Sequence, residues 1–218
     1  MADNYLEKKM ADYAARPAAA PKPARTLRSL LQKTRSCRGY DPAFVVRADQ
    51  LHRIIAVNTL TPSSGNRQVL RFRPVLADEA DGVLPHIRMG AALPELHLPF
   101  PGTEPRAFVV ICTTVPESPL VDMDAGIAAQ SMLLQATEIG LSGLCIAAFD
   151  KVRIREVLAL PCEPLLILAF GRGAERIELE EVAAGAPLRY YRTPDGRHRV
   201  PKLGLADLLL PAEKPSKE

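Results

Sequence analysis

Two short runs of this chain hold most of the side chains that could do chemistry. Arg35-Ser36-Cys37-Arg38 places two guanidiniums beside a hydroxyl. At the end of a helix, residues three apart point the same way. Two planar guanidinium forks would then match the oxygens of a phosphate. A basic helix end in solvent explains the same tetrapeptide, and taken alone that is the preferred reading. Further on, Pro62-Ser63-Ser64-Gly65-Asn66-Arg67-Gln68 offers two hydroxyls and two carboxamides, with Pro and Gly fixing the path. Carboxamides both donate and accept, so Asn66 and Gln68 suit a heterocycle that alternates carbonyls with N–H groups. An ordinary polar turn fits this loop as well.

Other chemistries are poorly provided for. The histidines at 52, 86, 97 and 198 share no metal-ligand spacing. The cysteines at 37, 112, 145 and 162 form no CxxC pair, and free thiols are expected. Gly171-Arg172-Gly173 lacks the third glycine of a dinucleotide loop and is followed by acidic residues, so it reads as a turn after an edge of the sheet. Asp122 and Asp124 lie on different faces of a helix, and capping of that helix accounts for both.

The elements that must position these residues follow from pattern. Residues 3–15 have helical spacing, and the three prolines of 16–23 interrupt it. Thr26 can cap a helix running to about Thr34, with Leu27, Leu30 and Leu31 inward. Residues 49–58 form another helix, with Leu51, Ile54, Ile55 and Val57 on its apolar side. Residues 70–76 alternate as a half-exposed strand. The stretch 85–105 carries five prolines and no period, which predicts a lid or an interface arm. Residues 107–113 read as a buried strand, and a long helix led by Asp122 and Asp124 ends at Gly140. Its small and apolar residues wrap around much of the cylinder, so it is buried on several sides. Strands at 142–149 and 165–170 flank a short helix at 151–158, and a terminal helix covers 203–210. That order predicts an α+β fold with a mostly antiparallel sheet. The division expected is an arm and hinge over 1–24, a domain over 25–212 and a polar tail over 213–218.

Composition narrows the classes. The chain has 218 residues, 47% of them hydrophobic and 24% charged, which suits a globular protein of one domain. The longest apolar run stops at Gly171, too short to span a bilayer. The polar N-terminus shows no secretion signal, so a cytoplasmic location is expected. A net charge of +3 is too small to imply a polyanion partner. The sign is unevenly spread, with seven basic residues and no acidic one between Tyr13 and Tyr40.

Taken together, R-S-x-R after a helix, P-S-S-x-N-x-Q, a D-x-D-led long helix ending G-L-S-G-L-C-I-A-A-F-D, and Val200-Pro201-Lys202-Leu203 near the C-terminus resemble the FMN-dependent nitroreductase family. The resemblance runs from about Leu27 to Leu210. It implies a homodimer with long central helices packed across the two-fold axis and FMN at the interface. Arg35, Ser36 and Arg38 would hold the ribityl phosphate, with Lys202 adding charge. Pro62, Ser63, Ser64 and Asn66 would approach the isoalloxazine from the other subunit, with Gln68 nearby. Ala147 and Ala148 stand where the family offers a backbone N–H near the flavin N5 and O4. Two departures matter. The family often has Lys-x-Arg at the C-terminus, so the second cation is missing here or comes from Arg197 or Arg199. Many members carry an acidic residue and Gly where Ala147 and Ala148 stand.

The activity implied is transfer of reducing equivalents from NAD(P)H, through FMN, to a nitroaromatic, quinone or similar acceptor. No side chain is required as a nucleophile, and the cofactor carries the chemistry. The stretch 85–105 is the candidate wall of the acceptor pocket. Alternatives are a flavin-fragmenting or reductively dehalogenating member, a non-catalytic flavin binder, or a nucleic-acid binder using the basic arm. Against the last, aromatic residues are only 5% and no binding motif is present. The partners expected are a second copy and a small molecule, without nucleic acid or membrane.

Overall fold

The computed structural model describes residues 26–90 and 93–210. The helix expected over 3–15, the hinge over 16–23 and the tail over 213–218 lie outside them. Strands β1 (Leu70–Val75), β2 (Ala107–Thr113), β3 (Ser142–Ile146) and β4 (Glu163–Gly171) form an antiparallel sheet in the order β1-β2-β4-β3. Every residue of β2 is buried, as a central strand covered on both faces must be. A second sheet joins β5 (Ile177–Val182), β6 (Tyr191–Arg192) and β7 (His198–Leu203) in the order β5-β7-β6, with β5 and β7 parallel. The architecture is the expected α+β fold.

Six α-helices lie among the described residues: α1 (Leu27–Lys33), α2 (Ala48–Ala56), α3 (Ala80–Val83), α4 (Pro119–Glu138), α5 (Lys151–Val157) and α6 (Leu205–Leu208). Thr26 caps α1, accepting from the Ser29 N–H at 3.2 Å. The long helix α4 buries Val121, Ala125, Ala128, Ala129, Met132 and Ala136. All of these but Val121 pack with Leu51 and Ile54 of α2 and with Val109, Ile111, Leu168 and Phe170 of the sheet in one core cluster. Small residues let a helix lie close to the strands beneath it. Another side of α4 leaves Leu120, Met123 and Ile127 at 48%, 55% and 38% exposure. None of the described helices is long and apolar enough to cross a membrane.

Three expectations need correction. Leu27 and Leu31 do not point inward; they are 63% and 42% exposed, because α1 rests on α4 by its C-terminal end, where the Thr34 and Thr137 hydroxyls meet at 2.8 Å. The terminal helix begins only at Leu205, since residues 198–203 are drawn into the second sheet by β5. The turn at Gly171 follows a central strand, not an edge, because β4 lies between β2 and β3.

Gly143 on β3 is a close-approach point. A Cβ there would lie 2.5 Å from Leu133 Cδ2, 3.1 Å from the Ala169 carbonyl oxygen and 3.2 Å from Phe170 Cδ1. The leucine tip can shift, but the backbone oxygen cannot. Gly143→Ala is expected to cost about 1–3 kcal/mol by overpacking, read from the urea unfolding midpoint. An unchanged midpoint would contradict that packing.

Candidate functional site

Helix α1 stops at Thr34, whose N–H donates to the Leu30 carbonyl at 2.8 Å. The chain then runs extended along the free edge of β3. Ser36 forms a parallel bridge with Gly143, and the Cys37 N–H donates to the Gly143 carbonyl at 3.1 Å. Tyr40 bridges Gly173, and its hydroxyl donates to the Cys37 carbonyl at 2.8 Å. Residues 35–38 are therefore not a frayed helix end, and helical spacing is not what brings them together. The sheet edge does so.

Arg35, Ser36 and Arg38 share one cleft of about 310 Å³ with Gln130, Cys145 and Lys202. Arg35 donates to the Leu31 carbonyl at 2.5 Å, and Arg38 to the Ser36 carbonyl at 3.2 Å. The Nε of each arginine is buried and has no hydrogen-bond partner. Arg38 also lies over the Tyr190 ring, 4.9 Å from its centroid. Burial holds the Arg35 guanidinium's pKa below its ordinary value. Confined cations with unused donors suit an anion with several acceptor oxygens.

Glu175, absent from the sequence reading of the site, braces this turn from behind. Its carboxylate accepts from the backbone N–H of Arg38 and, at 3.1 Å, from that of Gly39. It also pairs with Arg192 of β6, the two side chains being 7% and 15% exposed. The guanidinium and the two amides neutralise a carboxylate that would otherwise repel an anion in the cleft.

Strand β7 supplies the opposite wall. His198, Val200 and Lys202 line the cleft, as alternation along a strand requires. Arg199 faces away and pairs with Glu178 of β5 at 3.0 Å. Arg197 pairs with Asp195 at 2.6 Å and with Glu178 at 3.7 Å. Neither arginine lines the cleft. A period of two from His198 to Lys202 was the available signal for this.

The polar loop sits elsewhere. Pro62, Ser63 and Gln68 line a separate cavity of about 240 Å³ with Asn58, Asp124 and Phe72. Asp124 is not a helix cap. Ser118 caps α4, while the buried Asp124 carboxylate accepts from the Ser64 N–H at 2.8 Å and the Ser64 hydroxyl at 2.9 Å. Gln68 Nε2 donates to Asn66 Oδ1 at 3.1 Å. Gly65, Asn66 and Gln68 all have φ near +50° to +58°, which turns the loop sharply and leaves both carboxamides exposed. Within one chain, the cationic cleft and this loop do not share a cavity.

Ala147 and Ala148 are exposed in the segment after β3 and line neither cavity. The proline-rich stretch is stitched beside them. Ile87 bridges Phe149, and the Arg88 N–H donates to the Ala148 carbonyl at 2.8 Å. That stretch walls a further cavity of about 430 Å³, lined by Met89, Leu93, His97 and Leu98 among others.

The model of the nitroreductase family matches residues 31–172. The chain belongs to the nitroreductase family. As a member, it is a flavin-dependent oxidoreductase. Solved structures agree on the fold. A nitroreductase family protein from Clostridium difficile is 26% identical, with 67% of this chain and 83% of that one covered and a TM-score of 0.54. A family protein from Streptococcus pneumoniae is 17% identical over 78% of this chain and 96% of its own, with a TM-score of 0.59. A second Clostridium difficile protein, an FMN-dependent nitroreductase, is 24% identical over 68% and 88%, with a TM-score of 0.53. No curated protein matches the chain.

Proposed function

We propose that this nitroreductase family member binds FMN and passes reducing equivalents from NAD(P)H to a nitroaromatic, quinone or similar small acceptor. The cleft of Arg35, Ser36, Arg38 and Lys202 carries this reading, above all the two buried guanidinium Nε atoms without partners. Unused buried donors in a cationic cleft fit a phosphate monoester. The flavin, when bound, would supply the hydride chemistry.

The chain's own residues would bind, orient and exclude water. Arg35, Ser36 and Arg38 would hold the phosphate, with Lys202 adding charge. Asp124 would hold Ser64, and with it the turn that carries Pro62, Ser63, Asn66 and Gln68, at the ring system of the partner subunit's flavin. Backbone N–H groups at Ala147 and Ala148 would lie near N5 and O4. The cavity walled by residues 84–104 would admit the acceptor.

The subunit would act as a homodimer. Loop and cleft occupy separate cavities in one chain, so for both to touch one flavin a second copy would bring the loop to the cleft. The exposed Leu120, Met123 and Ile127 of α4, with Leu27 and Leu31 of α1, offer an apolar face for that contact. A cytoplasmic location, where NAD(P)H is available, would suit this activity.

The test is absorbance of the purified protein, followed by anaerobic reduction with NADH and with NADPH and a panel of acceptors. A yellow protein bleached by a nicotinamide and recoloured by a quinone or nitroaromatic is expected. A colourless protein that takes up no added FMN defeats the proposal.

A further inference from the structure

Strand β7 puts one residue into the cleft whose chemistry is still unused. His198 is 2% exposed and lines the same cleft as Arg35, Arg38 and Lys202. Its ring stacks on Tyr190, with centroids 5.0 Å apart and planes at 28°. Its Nδ1 is buried with no hydrogen-bond partner. Leaving such an atom unpaired is costly. The second cation that the sequence lacks is not Arg197 or Arg199, since both are held by carboxylates outside the cleft.

Charged groups act on this imidazole from several elements. They are Glu175 after β4, Arg192 on β6 and Arg38 after α1, with Lys202 on its own strand. Burial pushes the imidazole's pKa below its ordinary value; Glu175 opposes that, and Arg192 and Arg38 add to it. Without a ligand the ring is therefore neutral near pH 7. A dianion placed beside it favours the imidazolium.

We propose that His198 is a phosphate-binding residue of this cleft, taking up one solvent proton as the flavin phosphate binds and standing in for the missing second cation. This rests on the FMN reading given above. The only bond formed is N–H on the imidazole; nothing is oxidised or reduced. Because binding raises the imidazole's pKa, the contact is complete below its ligand-free pKa. It weakens as pH rises and is lost above the pKa of the complex. The phosphate's own second ionisation, near pH 6, runs the other way. A ratio to a variant that keeps that ionisation removes it.

The experiment measures the Kd of FMN for the intact protein and for His198→Gln from about pH 6 to about pH 9, with riboflavin in parallel. The variant is expected to bind FMN about tenfold more weakly at the acid end, the ratio falling towards one at the alkaline end. Riboflavin, which lacks the phosphate, should show a ratio near one throughout. A ratio for FMN that does not change with pH, or an equal loss for riboflavin, overturns the proposal. Should the variant fail to fold, calorimetry of the unaltered protein decides. FMN binding near pH 7.5, compared in buffers of different ionisation enthalpy, should show net proton uptake, and none overturns it. Binding of FMN without these signatures defeats the role of His198 alone. Failure of the unaltered protein to bind FMN at any pH defeats the flavin reading itself.

Discussion

Replacing Arg35 and Arg38 together by glutamine is expected to raise the Kd for FMN by roughly two to three orders of magnitude. Hydrogen bonds to charged groups are worth about 1.5–3 kcal/mol each, and about 1.4 kcal/mol is tenfold in Kd. Both guanidiniums line the cleft, and both keep a buried Nε without a partner. Their remaining bonds go to the carbonyls of Leu31 and Ser36, close by in sequence. The fold should therefore lose little, and the urea midpoint should move by less than about 1 kcal/mol. Riboflavin binding should change far less than FMN binding. A Kd within threefold of the original, or an equal loss for both flavins, would falsify the assignment of the phosphate to this turn.

Glu175→Ala is expected to be the most destabilising single change near the site, at about 3–5 kcal/mol. It strands the Arg192 guanidinium in a place where the pair is nearly dry, at 7% and 15% exposure. It also leaves the N–H groups of Arg38 and Gly39 without their acceptor. Chemical denaturation should show a lower midpoint with an unchanged slope. The turn that carries Arg35, Ser36 and Arg38 loses its brace in the same step, so under the proposed function FMN affinity should fall even where the variant remains folded. A variant within about 1 kcal/mol of the original would mean that the carboxylate is not integral to the turn.

Much of this arrangement could be read along the chain, because it is local. The strand at residues 107–113 is an unbroken apolar run, and its core position follows from that. Thr26 before a run of leucines signals a capped helix, and the helix is there. Arg35, Ser36 and Arg38 stand out by type and spacing, and Lys202 through the family resemblance; one cleft holds all four. The convergence of the first three rests on a bridge to Gly143 and not on helical spacing.

What stayed hidden depends on contacts distant in sequence. Glu175 looked like one member of an acidic stretch, yet its partners lie at Arg38, Gly39 and Arg192. Asp124 looked like a helix-capping acid, and it instead reaches back sixty residues to Ser64. The second sheet went unread because β6 has only two residues and β5 carries mostly glutamates between its apolar positions. His198 was one of four scattered histidines until a strand aligned it with Lys202.

Strand β7 is gripped on both sides, by β5 in parallel and by β6 in antiparallel pairing. Were those pairings to persist, a single inserted codon ahead of His198 would turn its successors over. Arg199 would then enter the cleft, while His198 and Lys202 would turn away from it, His198 towards Glu178. One indel would thus leave this strand presenting a guanidinium to the cleft where an imidazole and an amine now stand, with no substitution at all.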